Sequence, residues 1–151
     1  MQDITRPRIL CVDDDEDSRE MLTQLLKLAL IEAKTVGTAV QALSSMQTER
    51  FDLYVIDAWL PKIDGFELCR RMRAIDRHTP ILFFSGAAHT ADRKKGLAAG
   101  ANAYVVKPEI HSLIDTIAQF VGHAETAAAQ VIPFRPKMSF YPSFSSGPFA
   151  A

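Results

Sequence analysis

Arg8-Ile9-Leu10-Cys11-Val12-Asp13-Asp14-Asp15 is a short, continuous apolar run that stops abruptly in three acids. The pattern recurs. Phe51-Asp52-Leu53-Tyr54-Val55-Ile56 ends at Asp57, Pro80-Ile81-Leu82-Phe83-Phe84 ends at Ser85, and Ala103-Tyr104-Val105-Val106 ends at Lys107. Runs of this length, apolar on both faces, read as strands of a parallel sheet covered by helices on each side. A fifth strand over Glu32–Val36 is weaker, because Ala33 and Lys34 dilute it.

Helix-length segments separate the runs. Ser18–Leu30 carries Leu22, Leu25, Leu26 and Ala29 at helical spacing, with Asp17 or Ser18 as cap. Asp15 also reads as a capping acid for this helix. Thr38–Gln47 repeats apolar residues at Val40, Leu43 and Met46 behind a capping Thr38. Asp64–Ile75 places Phe66, Leu68, Met72 and Ile75 on a stripe, with Asp64 as cap and arginines near its end that suit the helix dipole. Thr90–Ala99 stops at Gly100, and Pro108–Val121 opens on proline and stops at Gly122. Parallel strands need such crossovers, so the expected class is a doubly wound α/β fold with a five-stranded parallel sheet, (βα)5.

Composition removes other classes. With 17 basic against 18 acidic residues, the chain has no electrostatic footprint for nucleic acid or an anionic membrane. Its apolar runs are too short to span a bilayer, and no secretory signal is visible near Met1. Cys11 and Cys69 form no CxxC, which fits a reducing, cytoplasmic setting. His78, His89, His111 and His123 share no metal-ligand spacing and read as surface residues. The expected domain spans 1–123. Residues 124–151 follow as a tail rich in Pro, Phe and Ser, with no effector domain. Prolines 133, 136, 142 and 148 suit a mobile tail, whereas Phe134, Phe140, Tyr141, Phe144 and Phe149 suit a docking segment.

In an open α/β sheet, ligands bind at the carboxyl ends of the strands. Those ends carry Asp13, Asp14, Asp57, Ser85 and Lys107. Clustered carboxylates need a counter-ion, and hard oxygen donors suit Mg²⁺ better than zinc. Ser85 and Lys107 then suit the oxygens of a phosphoryl group, with a carboxylate as nucleophile.

The chain resembles the receiver (CheY-like) domain of two-component response regulators. The resemblance rests on Val12-Asp13-Asp14-Asp15, on Asp57 followed by Pro61 and Asp64-Gly65, on Ser85-Gly86-Ala87, and on Gly100-Ala101-Asn102-Ala103-Tyr104-Val105-Val106-Lys107-Pro108. It covers about residues 6–122 and implies the flavodoxin-like receiver fold. It implies Asp57 as phospho-acceptor, Asp14 as a direct Mg²⁺ ligand, Asp13 as a ligand mainly through water, and the Trp59 backbone carbonyl as a further ligand. Lys107 is implied to pair with the phosphoryl group and Ser85 to donate to it. Tyr104 takes the aromatic switch position, whose ring turns inward as Ser85 moves toward phosphate, and Gly86 keeps the approach to Asp57 open. The Lys107–Pro108 bond matches a place where the family often has a cis peptide. The implied partners are a sensor histidine kinase or phosphotransfer protein and a downstream protein target, with the receiver a monomer or weak dimer. The expectation is a stand-alone switch that is not an enzyme beyond its own phosphorylation and dephosphorylation.

The sequence departs from the family pattern in places. Ser85 stands where threonine is usual, and Asn102-Ala103 stands where an acidic pair is common, which leaves Arg93, Lys94 and Lys95 without the acid that pairs two copies. Ala39 replaces a glycine before the second helix. Two other readings compete. One is a phosphorylation-independent adaptor on the same fold. The other is a haloacid-dehalogenase-like Mg²⁺ phosphatase, which Asp17 and the lack of a late acidic pair oppose. Two further expectations follow. Met21, Leu25 and Leu28 form a strip on the first helix beside its core strip, as a kinase-facing surface. Trp59 and Ala87, two residues after Asp57 and Ser85, cannot orient an attacking water, which predicts a long-lived phosphorylated state.

Overall fold

The computed structural model describes residues 5–122; the tail readings and His123 lie outside the described residues. Strand and helix alternate five times: β1 (Arg8–Val12), α1 (Glu16–Leu28), β2 (Glu32–Val36), α2 (Ala39–Thr48), β3 (Leu53–Ile56), α3 (Gly65–Ile75), β4 (Ile81–Ser85), α4 (Thr90–Ala98), β5 (Ala103–Val106) and α5 (Ile110–Phe120). The strands form one parallel sheet in the order β2-β1-β3-β4-β5. This is the flavodoxin-like receiver fold that the apolar runs and crossovers predict.

The lack of polar alternation in the strands has a direct cause. Ile9, Cys11, Leu53, Val55, Leu82, Phe84, Ala103 and Val105 pack on one face with Leu22 and Leu26 of α1 and Leu113 and Ile117 of α5. Their neighbours Leu10, Val12, Tyr54, Ile56, Ile81, Phe83 and Tyr104 pack on the other face with α2 and α3. β1, β3, β4 and β5 therefore bury both of their faces, whereas the edge strand β2 stays half exposed.

Several boundaries shift. α1 starts at Glu16, because Asp15 caps it by accepting from the Ser18 N–H; Asp17 and Ser18 lie inside the helix. Thr38 and Asp64 cap α2 and α3 as expected. In α2 the buried stripe is Ala39, Ala42 and Ser45, whereas Val40 is exposed and Leu43 and Met46 are half-buried, so small residues set its approach to the sheet. Ile75 is likewise exposed at the end of the α3 stripe. Pro108 is not the first residue of α5: the Lys107–Pro108 peptide is cis and the helix begins at Ile110. Gly100, just past the α4 cap, has φ 116, a backbone conformation that favours glycine. Cys11 and Cys69 are buried and free, and burial pushes the Cys11 thiol up to about 12, so it is inert.

Candidate functional site

The sheet edge holds the expected residues at the carboxyl ends of β1, β3, β4 and β5. Asp13 is fixed at four points. Its N–H donates to the Val36 carbonyl (3.0 Å), and its own carbonyl accepts from Arg19 Nη1 (2.8 Å). Its Oδ1 accepts from the Asp15 N–H (3.0 Å) and its Oδ2 from Lys107 Nζ (2.7 Å). Asp57 is as closely held. Its N–H donates to the Val12 carbonyl, and its Oδ1 accepts from the Trp59 N–H (3.1 Å) and the Ser85 hydroxyl (2.7 Å). Its Oδ2 accepts from Lys107 Nζ (3.1 Å). Asp14 projects into solvent, whereas Asp13 and Asp57 are buried.

Asp13, Asp14 and Asp57 each offer a carboxylate oxygen within 4.8 Å of the others. Three carboxylates against the single ammonium of Lys107 leave an excess of negative charge, and an all-oxygen donor set with one solvent-facing member fits a hydrated hard cation such as Mg²⁺. Burial opposes the charge of Lys107. The hydrogen bonds and charges of Asp13 and Asp57 outweigh it, so its pKa stands above the ordinary lysine value and it is an ammonium at neutral pH.

The β4–α4 loop carries a second set of contacts. The Ala87 N–H donates to Ser85 Oγ (3.2 Å), and the Ala87 carbonyl accepts from the Tyr104 hydroxyl (2.7 Å). Tyr104 is turned inward and buried, stacked on Phe83 with ring centroids 5.2 Å apart; burial pushes its phenol up to about 12. Gly86 lies exposed on the loop, and a Cβ built there meets nothing within 4 Å, so packing does not demand glycine at that place. Trp59 is 58% exposed beside Asp57.

Two contacts had no sequence signal. Arg19, from the second turn of α1, reaches back to the Asp13 carbonyl. Asn102 Oδ1 accepts from Arg73 Nη2 and from the Ile81 N–H, so the residue in the place of a family acid ties β4 and β5 to the end of α3. His78, His89 and His111 are exposed, as read.

Strand-end carboxylates, a hydroxyl and an ammonium on a 2-1-3-4-5 parallel sheet define a receiver, and the family model for the response regulator receiver domain matches residues 9–118: the chain belongs to that family. Its relatives narrow the comparison. It is 33% identical over 137 residues to the "Transcriptional regulatory protein PrrA" of Mycobacterium tuberculosis, covering 88% of this chain and 59% of that protein. It is 40% identical over 106 residues to the "DNA-binding response regulator MtrA" of Mycolicibacterium smegmatis, covering 70% of this chain and 46% of that protein. The chain thus spans about half the length of these curated relatives. Among solved structures, the receiver domain of sensor histidine kinase PA1611 from Pseudomonas aeruginosa PAO1, with a magnesium ion coordinated in its active-site cleft, matches with a TM-score of 0.72 at 28% identity, over 78% of this chain and 99% of that one. Transcription and DNA binding are named for the longer relatives, and those names lend no support to the expectation that this chain avoids nucleic acid. Among the described residues, no helix is long and apolar enough to cross a membrane.

Proposed function

We propose that this receiver is a phosphorylation switch that takes a phosphoryl group onto Asp57 from a sensor histidine kinase or phosphotransfer protein and signals through protein contacts. The observation that carries this reading is the convergence on one carboxylate: Lys107 Nζ bridges Asp57 and Asp13, while Ser85 donates to the other oxygen of Asp57. These are the donors a transferred phosphoryl group needs, placed where it would arrive.

An Asp57 carboxylate oxygen attacks phosphorus as the bond from phosphorus to the donor breaks and its electron pair leaves with the donor. A new P–O bond gives an acyl phosphate. Lys107, already an ammonium, and the Ser85 hydroxyl pass from the carboxylate to the phosphoryl oxygens, so both stabilise charge without a proton having to move. Asp13, Asp14, Asp57 and the Trp59 carbonyl would hold Mg²⁺, which when bound neutralises the charge that three carboxylates and a phosphate bring together. The anchoring of Asp13 through Val36, Arg19, Asp15 and Lys107 supports its role as a fixed, mainly water-mediated ligand, and the exposure of Asp14 supports direct contact. The unit that does this is residues 1–123, with 124–151 as an appended segment. The outer strip of α1, where Met21 and Leu28 are exposed beside buried Leu22 and Leu26, would receive the phosphodonor.

The test is incubation of the full chain with acetyl phosphate and Mg²⁺, followed by intact-mass measurement. Wild type gains one phosphoryl group and Asp57→Ala gains none, with no continuing turnover of a small phosphoester. An unlabelled wild type favours the phosphorylation-independent adaptor, and sustained turnover favours a phosphatase.

A further inference from the structure

Gly96 lies in the last turn of α4, where glycine is a weaker helix former than alanine. The structure shows what occupies the space. A Cβ on Gly96 would stand 2.9 Å from Cδ2 of Tyr104 and 3.0 Å from Cδ2 of Phe83, closer than side chains ordinarily pack. Phe83 has no exposure, stacks on Tyr104 and leans on Phe66 at 5.3 Å, so it has nowhere to go. Tyr104 is buried as well, but it sits on β5, a strand at the edge of the sheet, and its contact with the added Cβ is the shorter of the two. A methyl group at position 96 would therefore displace the tyrosine.

Tyr104 is the start of a hydrogen-bonded relay. Its hydroxyl holds the Ala87 carbonyl, the Ala87 N–H holds Ser85 Oγ, and Ser85 Oγ holds Asp57 Oδ1. We infer that Gly96 is a positioning residue for the site: by leaving room beneath α4 for the inward Tyr104 ring, it pins the β4–α4 loop and keeps the Ser85 hydroxyl aimed at Asp57. The effect on phosphorylation rests on the proposed role of Asp57; the seating of Tyr104 does not. A chain whose loop is already drawn in spends less of the phosphoryl group's interaction energy on rearranging it.

The experiment uses the full chain labelled with 3-fluorotyrosine, with Tyr104→Phe assigning the Tyr104 resonance. Gly96→Ala introduces a better helix former, so the fold is retained. It is expected to move the Tyr104 fluorine signal from a buried to a solvent-sensitive position and to slow labelling by acetyl phosphate and Mg²⁺ about tenfold, the scale of an overpacked contact. In a Tyr104→Ser background, where no ring is left to displace, Gly96→Ala should change labelling less than twofold. An unmoved fluorine signal, or an equal loss of labelling in both backgrounds, overturns the inference and makes Gly96 a packing residue only. A wild type that takes no phosphoryl group overturns the proposed function instead, and the fluorine signal still decides whether Gly96 seats Tyr104.

Discussion

Gly65→Ala tests how the Asp57 loop is held. Gly65 opens α3, and its N–H donates to the Ala58 carbonyl (2.9 Å), which folds the helix start back onto the end of β3. A Cβ there would lie 2.1 Å from the Asp57 carbonyl oxygen, 2.8 Å from the Ala58 Cα and 2.9 Å from the Asp57 carbonyl carbon. All three neighbours are backbone, so no flexible side chain can give way. Restoring an ordinary contact of 3.4 Å requires a shift of more than 1 Å between α3 and the residues that carry Asp57 and Trp59. Helix propensity alone would favour alanine, so the expected loss is purely steric: about 3 kcal/mol from a total of about 5–15 kcal/mol. A misplacement of this size should also slow labelling on the order of 10²-fold. Urea unfolding should show a lower midpoint at an unchanged slope, and intact mass after timed exposure to acetyl phosphate should show the slower labelling. Gly86→Ala is the control: its Cβ meets nothing, so its stability should stay within about 0.5 kcal/mol of wild type. Wild-type stability and labelling in Gly65→Ala would refute the claim that this close approach sets the site.

Other consequences are equally open to measurement. Asp76 accepts from the Tyr54 hydroxyl and from the N–H groups of His78 and Thr79; although burial raises its pKa, these bonds bring it down to about 2 from 3.8. A depressed carboxyl stabilises the fold above its unfolded value, so stability should fall as pH drops from about 4 to about 2, and Asp76→Asn should flatten the unfolding curve in that window. The lifetime of phospho-Asp57 should lengthen with Trp59, whose indole can donate but not accept from water; Trp59→Asn should hasten phosphate loss roughly tenfold, about 1.4 kcal/mol of barrier, and no acceleration would defeat this account. The second position is unsuitable for that test, because Ala87 is buried and a glutamate there would bury a charge. On α1, Met21→Arg and Leu28→Arg should impair transfer from a cognate kinase while acetyl-phosphate labelling persists; joint loss of both activities with stability would make these residues core.

The sheet was legible because burial on both faces leaves a mark on β1, β3, β4 and β5: Ile9 and Cys11 serve one layer while Leu10 and Val12 serve the other, and only the half-exposed edge strand β2 has room for Glu32, Lys34 and Thr35. The site was legible for the same reason, since Asp13, Asp57, Ser85 and Lys107 are the first polar residues after such runs. Helix edges were less so. Asp15, Asp17 and Ser18 all have capping chemistry, and only the backbone's turn at Asp15 decides between them. Pro108 carries the signature of a first helical turn, but its peptide is cis and the helix waits until Ile110. Val40 and Ala39 fit adjacent stripes of one helix, and the choice falls to the sheet surface beneath, which Ala39 and Ala42 approach closely. Gly65 stands in the motif that follows Asp57, but the backbone contact that demands glycine there shows only in the fold; the importance of Gly96 arises from the Phe83 and Tyr104 rings, with which it has no regular sequence spacing.

The central claim is that Asp57 is the acceptor, and the most direct measurement identifies the modified atom. Full-length protein labelled with acetyl phosphate and Mg²⁺ is treated with borohydride, which reduces an acyl phosphate to an alcohol and converts a phosphorylated aspartate to homoserine, and peptides are then sequenced by mass spectrometry. Homoserine is expected at position 57, and at none of the neighbouring acids Asp13, Asp14 and Asp15. Homoserine at one of those residues, or an Asp57 left intact while the protein carries phosphate, would contradict the account.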